Sequence, residues 1–213
     1  KLLMKKYILF DNDGVLVETE NWYYEANKKA LKQLGLNLQM DEYQEIMARG
    51  GTAWELAINA GITTEMIDKK RVQRDNYYQE FLHTKNLEIP NVKKVLKNLS
   101  KKYKMAIVTT SRRVDFELIH KNRGISDYMQ FVLCVEDYER AKPYPDPYLK
   151  GLELLKASAK DTIVVEDSQR GLISAVNANI ECVIVKNEFT KTHDFSKANY
   201  FIDTLEQLET ILN

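Results

Sequence analysis

Six short apolar runs, most of them separated by amphipathic stretches, limit the possible folds of this chain more than any other feature. They are YILF at 7–10, MAIVT at 105–109, FVLCV at 131–135, TIVVE at 162–166, CVIV at 182–185 and YFI at 200–202. Their length and β-branched content suit strands buried on both faces, as in a parallel sheet. Helical patterns fill 91–101, 113–123, 145–156, 168–178 and 204–212. Strand alternating with helix predicts an α/β fold: an open, doubly wound, Rossmann-like parallel sheet with helices on both faces.

The stretch 18–87 breaks this alternation. It holds four helix-like segments and no strand pattern: NWYYEANKKALKQLG ends at Gly35, DEYQEIMA before Gly50 and Gly51, TAWELAINAG at Gly61, and TEMIDKKRVQRDNYYQEFLHTK is the longest. Glycine after an amphipathic run is a helix stop. The expected organisation is therefore a catalytic core from 1–17 and 88–213, interrupted by an all-helical insertion at 18–87. In sheets of this class ligands bind beyond the carboxyl ends of the strands, so the insertion is expected to act there as a mobile cap.

Polar side chains gather at those strand ends. Asp11 and Asp13 follow the first strand, Thr109, Thr110 and Ser111 the second, Glu166 and Asp167 the fourth, and Lys142 lies in the loop AKPYPDP after the third. The four acids on one rim repel one another unless a cation sits among them. Hard oxygen ligands suit Mg²⁺, which keeps waters and a phosphate oxygen in its shell. A carboxylate is also a nucleophile towards phosphorus, through an aspartyl-phosphate. Asp11, which directly ends the buried strand, is assigned that role, and Asp13, turned inward at Gly14, is the acid/base for leaving group and water. Lys142 supplies positive charge. The Thr109 hydroxyl and the start of the next helix are expected to donate to the same phosphate.

Charge and cysteine content narrow the partners. Lys plus Arg number 31, balanced by 31 Asp plus Glu, so the global positive field that nucleic acid or an anionic membrane requires is missing. The lysines of KKVLKNLSKKYK read as the wet face of an amphipathic helix. Cys134 and Cys182 sit in apolar runs and read as buried reduced thiols. No run approaches the roughly 20 apolar residues of a membrane span, and no signal peptide precedes the first strand, which together lead to an expected cytoplasmic location. Lys1 to Leu3, ahead of Met4, carry no weight in this reading. His83, His120 and His193 lack metal-ligand spacing and are expected to be non-catalytic.

DNDGVLVETE, IVTTS, AKPYPDP and VVEDSQRG together resemble, in order and interval, the four motifs of the haloacid dehalogenase superfamily. The resemblance covers essentially the whole chain, and is closest to the β-phosphoglucomutase-like branch of sugar-phosphate phosphatases and mutases. It implies the same roles for Asp11, Asp13, Thr109 and Lys142. It also implies that Asp11, the main-chain carbonyl of Asp13, Asp167 and Glu166 hold Mg²⁺, Glu166 less firmly because adjacent residues of a strand point apart.

The departures from that branch bear on the reaction. Tyr23 stands where the mutase has a histidine, and Thr52 stands near the place of an expected cap arginine, with Arg49 three residues earlier. Both favour hydrolysis, and Asp13 argues against dehalogenation. Candidate substrate contacts are Thr110, Arg49, Gly50 and Tyr23. The expected activity is Mg²⁺-dependent hydrolysis of a small phosphorylated metabolite, a sugar or polyol phosphate, by a monomer or weak dimer. The alternative is a phosphomutase of the β-phosphoglucomutase type. A response-regulator receiver is disfavoured, because its phosphorylated aspartate lies on a later strand and it has no helical insertion. The aromatic residues Trp22, Tyr23, Tyr24, Trp54, Tyr77 and Tyr78 read first as filling for the small core of the insertion.

Overall fold

A computed structural model describes residues 5–212; Lys1 to Leu3, set aside above, lie outside the described residues, as do Met4 and Asn213. The chain divides into two compact units, one built from residues up to Glu18 and from Glu88 onward, the other from Thr19–Leu87.

The first unit is a parallel sheet of β1 (Tyr7–Phe10), β2 (Lys104–Val108), β3 (Met129–Leu133), β4 (Thr162–Glu166), β5 (Glu181–Val185) and β6 (Tyr200–Ile202). Their order is β3-β2-β1-β4-β5-β6, every neighbouring pair parallel. The chain runs outward from β1 through β2 to β3 and then returns to β1's other side, so the crevice between the ends of β1 and β4 is the topological switch point.

Alternation along the strands sorts residues onto two faces. Leu9, Ala106, Val108, Leu133, Val164, Cys182 and Ile184 share one core cluster with Tyr148 and Leu155 of α7 (Asp146–Leu155) and Leu172 and Ala175 of α8 (Gln169–Asn177). The intervening Ile8, Phe10, Met105, Ile107, Ile163, Val165 and Val183 are also fully buried. Each such side chain contributes roughly 1.5–3 kcal/mol on burial. Strands covered on both faces account for the unbroken apolar runs of the sequence.

Two of the departures from the expected boundaries have a visible local cause. β3 begins and ends two residues earlier than FVLCV, because the Asp137 carboxylate accepts the Cys134 N–H at 2.7 Å and turns the chain at Val135–Asp137. α6 (Arg113–His120) stops before 123, with Asn122 left-handed at φ 62°.

The inserted unit holds α1 (Glu20–Lys32), α2 (Met40–Ala48), α3 (Glu55–Asn59) and α4 (Thr64–Thr84). α2 ends as its sequence demands: Gly50 has φ +80°, Gly51 N–H reaches Ile46 C=O at 2.9 Å, and Gly50 N–H reaches Met47 C=O at 3.1 Å. The same pair of bonds closes α1 around Gly35 and α3 around Gly61. Tyr24, Tyr43 and Trp54 are buried in this unit's core with Leu31, Leu38 and Ile67, and Tyr23 and Tyr77 pack against it. Filling a small core is what these aromatics do. No helix among the described residues is long and apolar enough to cross a membrane.

Candidate active site

Register brings the first acids together. Phe10 pairs with Val165, and Asp11 N–H continues the ladder to Val165 C=O at 2.9 Å, so Asp11 stands abreast of Glu166. Both lie an even number of residues beyond Leu9 and Val164, and therefore project to the face covered by α7. Lys142, in the loop before α7, reaches in from that side. Its Nζ donates to Asp11 Oδ1 at 2.9 Å, Glu166 Oε1 at 2.6 Å and Val108 C=O at 2.9 Å, which uses all three ammonium hydrogens.

Glu166 is equally committed. Tyr148 OH donates to Oε1 at 2.6 Å, and Asp167 N–H and Ser168 OH donate to Oε2 at 3.2 and 3.3 Å. Ser168 also caps α8 by accepting from Gly171 N–H at 3.1 Å, the capping role that any serine at a strand-to-helix turn suggests. Asp167 Oδ2 accepts from Asn187 Nδ2 at 2.8 Å.

The loop after β1 is folded back on itself. Asn12 C=O accepts N–H bonds from Val15, Leu16 and Val17 at 3.2, 2.8 and 3.3 Å, with Gly14 at φ +77°. Asp13 Oδ2 then accepts from Ser111 OH at 2.7 Å and Thr109 OH at 3.3 Å, while Thr109 Oγ1 accepts from Ser111 N–H at 3.1 Å. The expected open helix start differs: Arg113 N–H of α6 is already bonded to the Glu136 carboxylate at 3.1 Å. The Thr110 hydroxyl joins none of these bonds.

Charge is left over. One oxygen from each of Asp11, Glu166 and Asp167 lies within 4.8 Å of the others, against the single cation of Lys142. Burial and the charge of Glu166 push the Asp11 carboxyl up to about 7, although Lys142 pulls the other way. The carboxylates in turn hold Lys142 firmly protonated, despite burial. Buried, mutually repelling carboxyl oxygens around one ammonium form a donor set suited to a small divalent cation, which would remove the penalty on ionised Asp11.

The other three residues expected to contact substrate belong to the inserted unit. Arg49 is exposed and paired with Glu55, whose carboxyl it holds below its usual range. Gly50 forms the end of α2. The Tyr23 hydroxyl accepts from Arg74 Nη1 at 2.8 Å, and its ring meets Tyr78 edge-on at 5.2 Å.

Some residues at the site carried little or a different signal in the sequence. Tyr148 looks like one more core aromatic of an amphipathic helix. Ser111 looks like a helix cap but donates to Asp13. Asn187 sits just beyond the end of β5, where the strand-end rule could have drawn attention to it.

Residues 8–185 match the family model of the haloacid dehalogenase-like hydrolases. The chain belongs to that family. A pyrophosphatase PpaX from Bacillus mycoides is 27% identical over 226 aligned residues, covering 97% of this chain and 96% of the relative. The crystal structure of CbbY from Rhodobacter sphaeroides in complex with phosphate has a TM-score of 0.81 at 20% identity, covering 96% of each chain. A mutant of that protein in complex with xylulose-(1,5)-bisphosphate gives the same TM-score and identity. These structures show the fold: a Rossmann-like parallel sheet with an inserted helical unit.

Proposed function

We propose that this HAD-like phosphatase hydrolyses a small phosphorylated metabolite, a sugar or polyol phosphate, with Mg²⁺ and through an aspartyl-phosphate on Asp11. The observation that carries this reading is the cluster of Asp11, Glu166 and Asp167, excess negative charge at the switch point around one fully engaged lysine. A cluster of this kind needs both a cation and an anionic substrate that shares it. Relatives named for pyrophosphatase activity, and one solved with phosphate and with a sugar bisphosphate, support a phosphoester substrate.

In this reading Asp11, Glu166, Asp167 and the Asp13 main-chain carbonyl would hold Mg²⁺, which would supply charge neutralisation for carboxylate and phosphate alike. Lys142 pins Asp11 Oδ1, so Oδ2 is the attacking oxygen. As the Asp11–phosphorus bond forms, the bond to the leaving oxygen breaks and Asp13 gives that oxygen its proton. Water then attacks the phosphorus of the aspartyl-phosphate, its proton returns to Asp13, and inorganic phosphate leaves with Asp11 restored. Thr109 is the neutral donor to the phosphoryl group, and Ser111 steadies Asp13.

The core of 1–17 and 88–213 carries this chemistry. The 18–87 insertion acts as the cap that reads the leaving group, with Arg49, Gly50 and Tyr23 as its candidate contacts beside Thr110 of the core. Hydrolysis is preferred over phosphomutase chemistry because the residue in the histidine's place, Tyr23, has its hydroxyl engaged by Arg74. We read the protein as cytoplasmic and as a monomer or weak dimer; the buried free thiols Cys134 and Cys182 support the reducing location.

The test is a panel of phosphorylated metabolites assayed for inorganic phosphate with Mg²⁺, with EDTA, and with Asp11→Asn. Turnover with Mg²⁺ alone is expected. Undiminished turnover by Asp11→Asn would overturn the assignment, and conversion of a sugar 1-phosphate to its 6-phosphate without phosphate release would favour the mutase.

A further inference from the structure

Asp167 is held from the next strand over. Asn187 lies two residues past β5, and its Nδ2 donates to Asp167 Oδ2 at 2.8 Å. The orientation of that amide is itself fixed. Asn187 Oδ1 accepts from Phe189 N–H at 2.9 Å, Thr190 N–H at 3.1 Å and Thr190 OH at 3.2 Å. Three donors converging on one atom require an oxygen there, so the NH₂ must face Asp167. Gly14 closes the opposite side: a Cβ on it would lie 2.1 Å from Asp167 Oδ2 and 3.2 Å from Asn187 Nδ2. The carboxylate is therefore wedged between a bare backbone and an oriented amide.

We propose that Asn187 is a positioning residue for the metal site, fixing the Asp167 carboxylate in the orientation that receives the ion. The proposal rests on the reading that Asp11, Glu166 and Asp167 hold Mg²⁺. The residue type matters. A lysine or arginine there would also hold Asp167 but would cancel part of the charge that attracts a cation, as Lys142 already does for Asp11 and Glu166. A neutral amide orients the ligand and leaves its charge intact. Outer hydrogen bonds to metal ligands typically change affinity by about 10–100-fold when removed.

The experiment is calorimetric titration of Mg²⁺ into the metal-stripped full chain, comparing wild type, Asn187→Leu and Thr190→Val. Both substitutions remove hydrogen bonding within the 187–190 loop, but only Asn187→Leu removes the donor to Asp167. Asn187→Leu is expected to weaken Mg²⁺ binding by about 10-fold or more, with Thr190→Val within about twofold of wild type. Should Asn187→Leu not fold, Asn187→Ser makes the same comparison. Unchanged binding in the Asn187 variant, or equal weakening by Thr190→Val, would overturn the proposal alone. Failure of the wild type to bind Mg²⁺ would overturn the metal reading beneath it.

Discussion

The Lys142 ammonium lies 2.6 Å from Glu166 Oε1, with 3% of one side chain and none of the other exposed. A buried ion pair that loses one partner leaves an uncompensated charge, typically at a cost of 3–5 kcal/mol. Glu166→Ala would take a partner from Lys142, Tyr148 and Ser168 together, leaving Lys142 with Asp11 as its one carboxylate partner, while Lys142→Met would leave Asp11 and Glu166 facing each other. We expect both to destabilise the protein by about 3 kcal/mol in urea unfolding with EDTA. Mg²⁺ should restore part of the loss in Lys142→Met, because a divalent cation relieves the same repulsion.

Gly171→Ala reverses the usual rule for helices. Alanine in a helix interior is normally better than glycine by about 1 kcal/mol. Here the added methyl would fall 1.9–2.1 Å from the Glu166 carboxyl atoms. Displacing Glu166 releases Lys142 and Tyr148, so the substitution should cost about 1–3 kcal/mol and lower phosphate release at least tenfold, by thermal unfolding and steady-state assay.

Gly14→Ala meets two obstacles. The backbone at φ +77° strains an L-residue by about 1–2 kcal/mol, and the new Cβ lands 2.1 Å from Asp167 Oδ2. The expected signature is a rise in the Mg²⁺ concentration for half-maximal activity, larger than any change in substrate KM.

His120 gives a pH-dependent stability term. It is buried against Phe116, with Nε2 2.7 Å from Asn12 Oδ1 and Nδ1 without a partner. Burial pushes its pKa down to about 4, Asp13 pulling it up and Arg123 adding to the fall. The unfolded state then binds more protons between that value and the ordinary 6.5, so this contribution is fully present above pH 6.5 and is lost as pH falls towards 4. Between pH 7 and pH 5 the wild type should lose about 2 kcal/mol more than His120→Leu, measured by urea unfolding in EDTA. Asp11, pushed up to about 7, contributes with opposite sign, but equally in both proteins, and drops out of the difference.

Strand periodicity, helix stops at Gly35, Gly50 and Gly61, and the order of the acidic strand ends were all legible in the sequence, because each depends on local backbone geometry or on burial along a single element. The sheet, its helical insertion and the residues gathered at the site follow from those patterns. What lay beyond the sequence was which polar group each strand-end side chain would find. Ser111, one of three hydroxyls after β2, became a donor to Asp13; the first N–H of α6, where a phosphate was expected, is held by Glu136; Tyr148 and Gly171 carried no chemical signature, and Asn187 only its place beyond a strand end. Strand register and the packing of α7, α8 and the 187–190 loop against the sheet made those choices, because a hydrogen bond between residues distant along the chain depends on distances that only the packed sheet establishes.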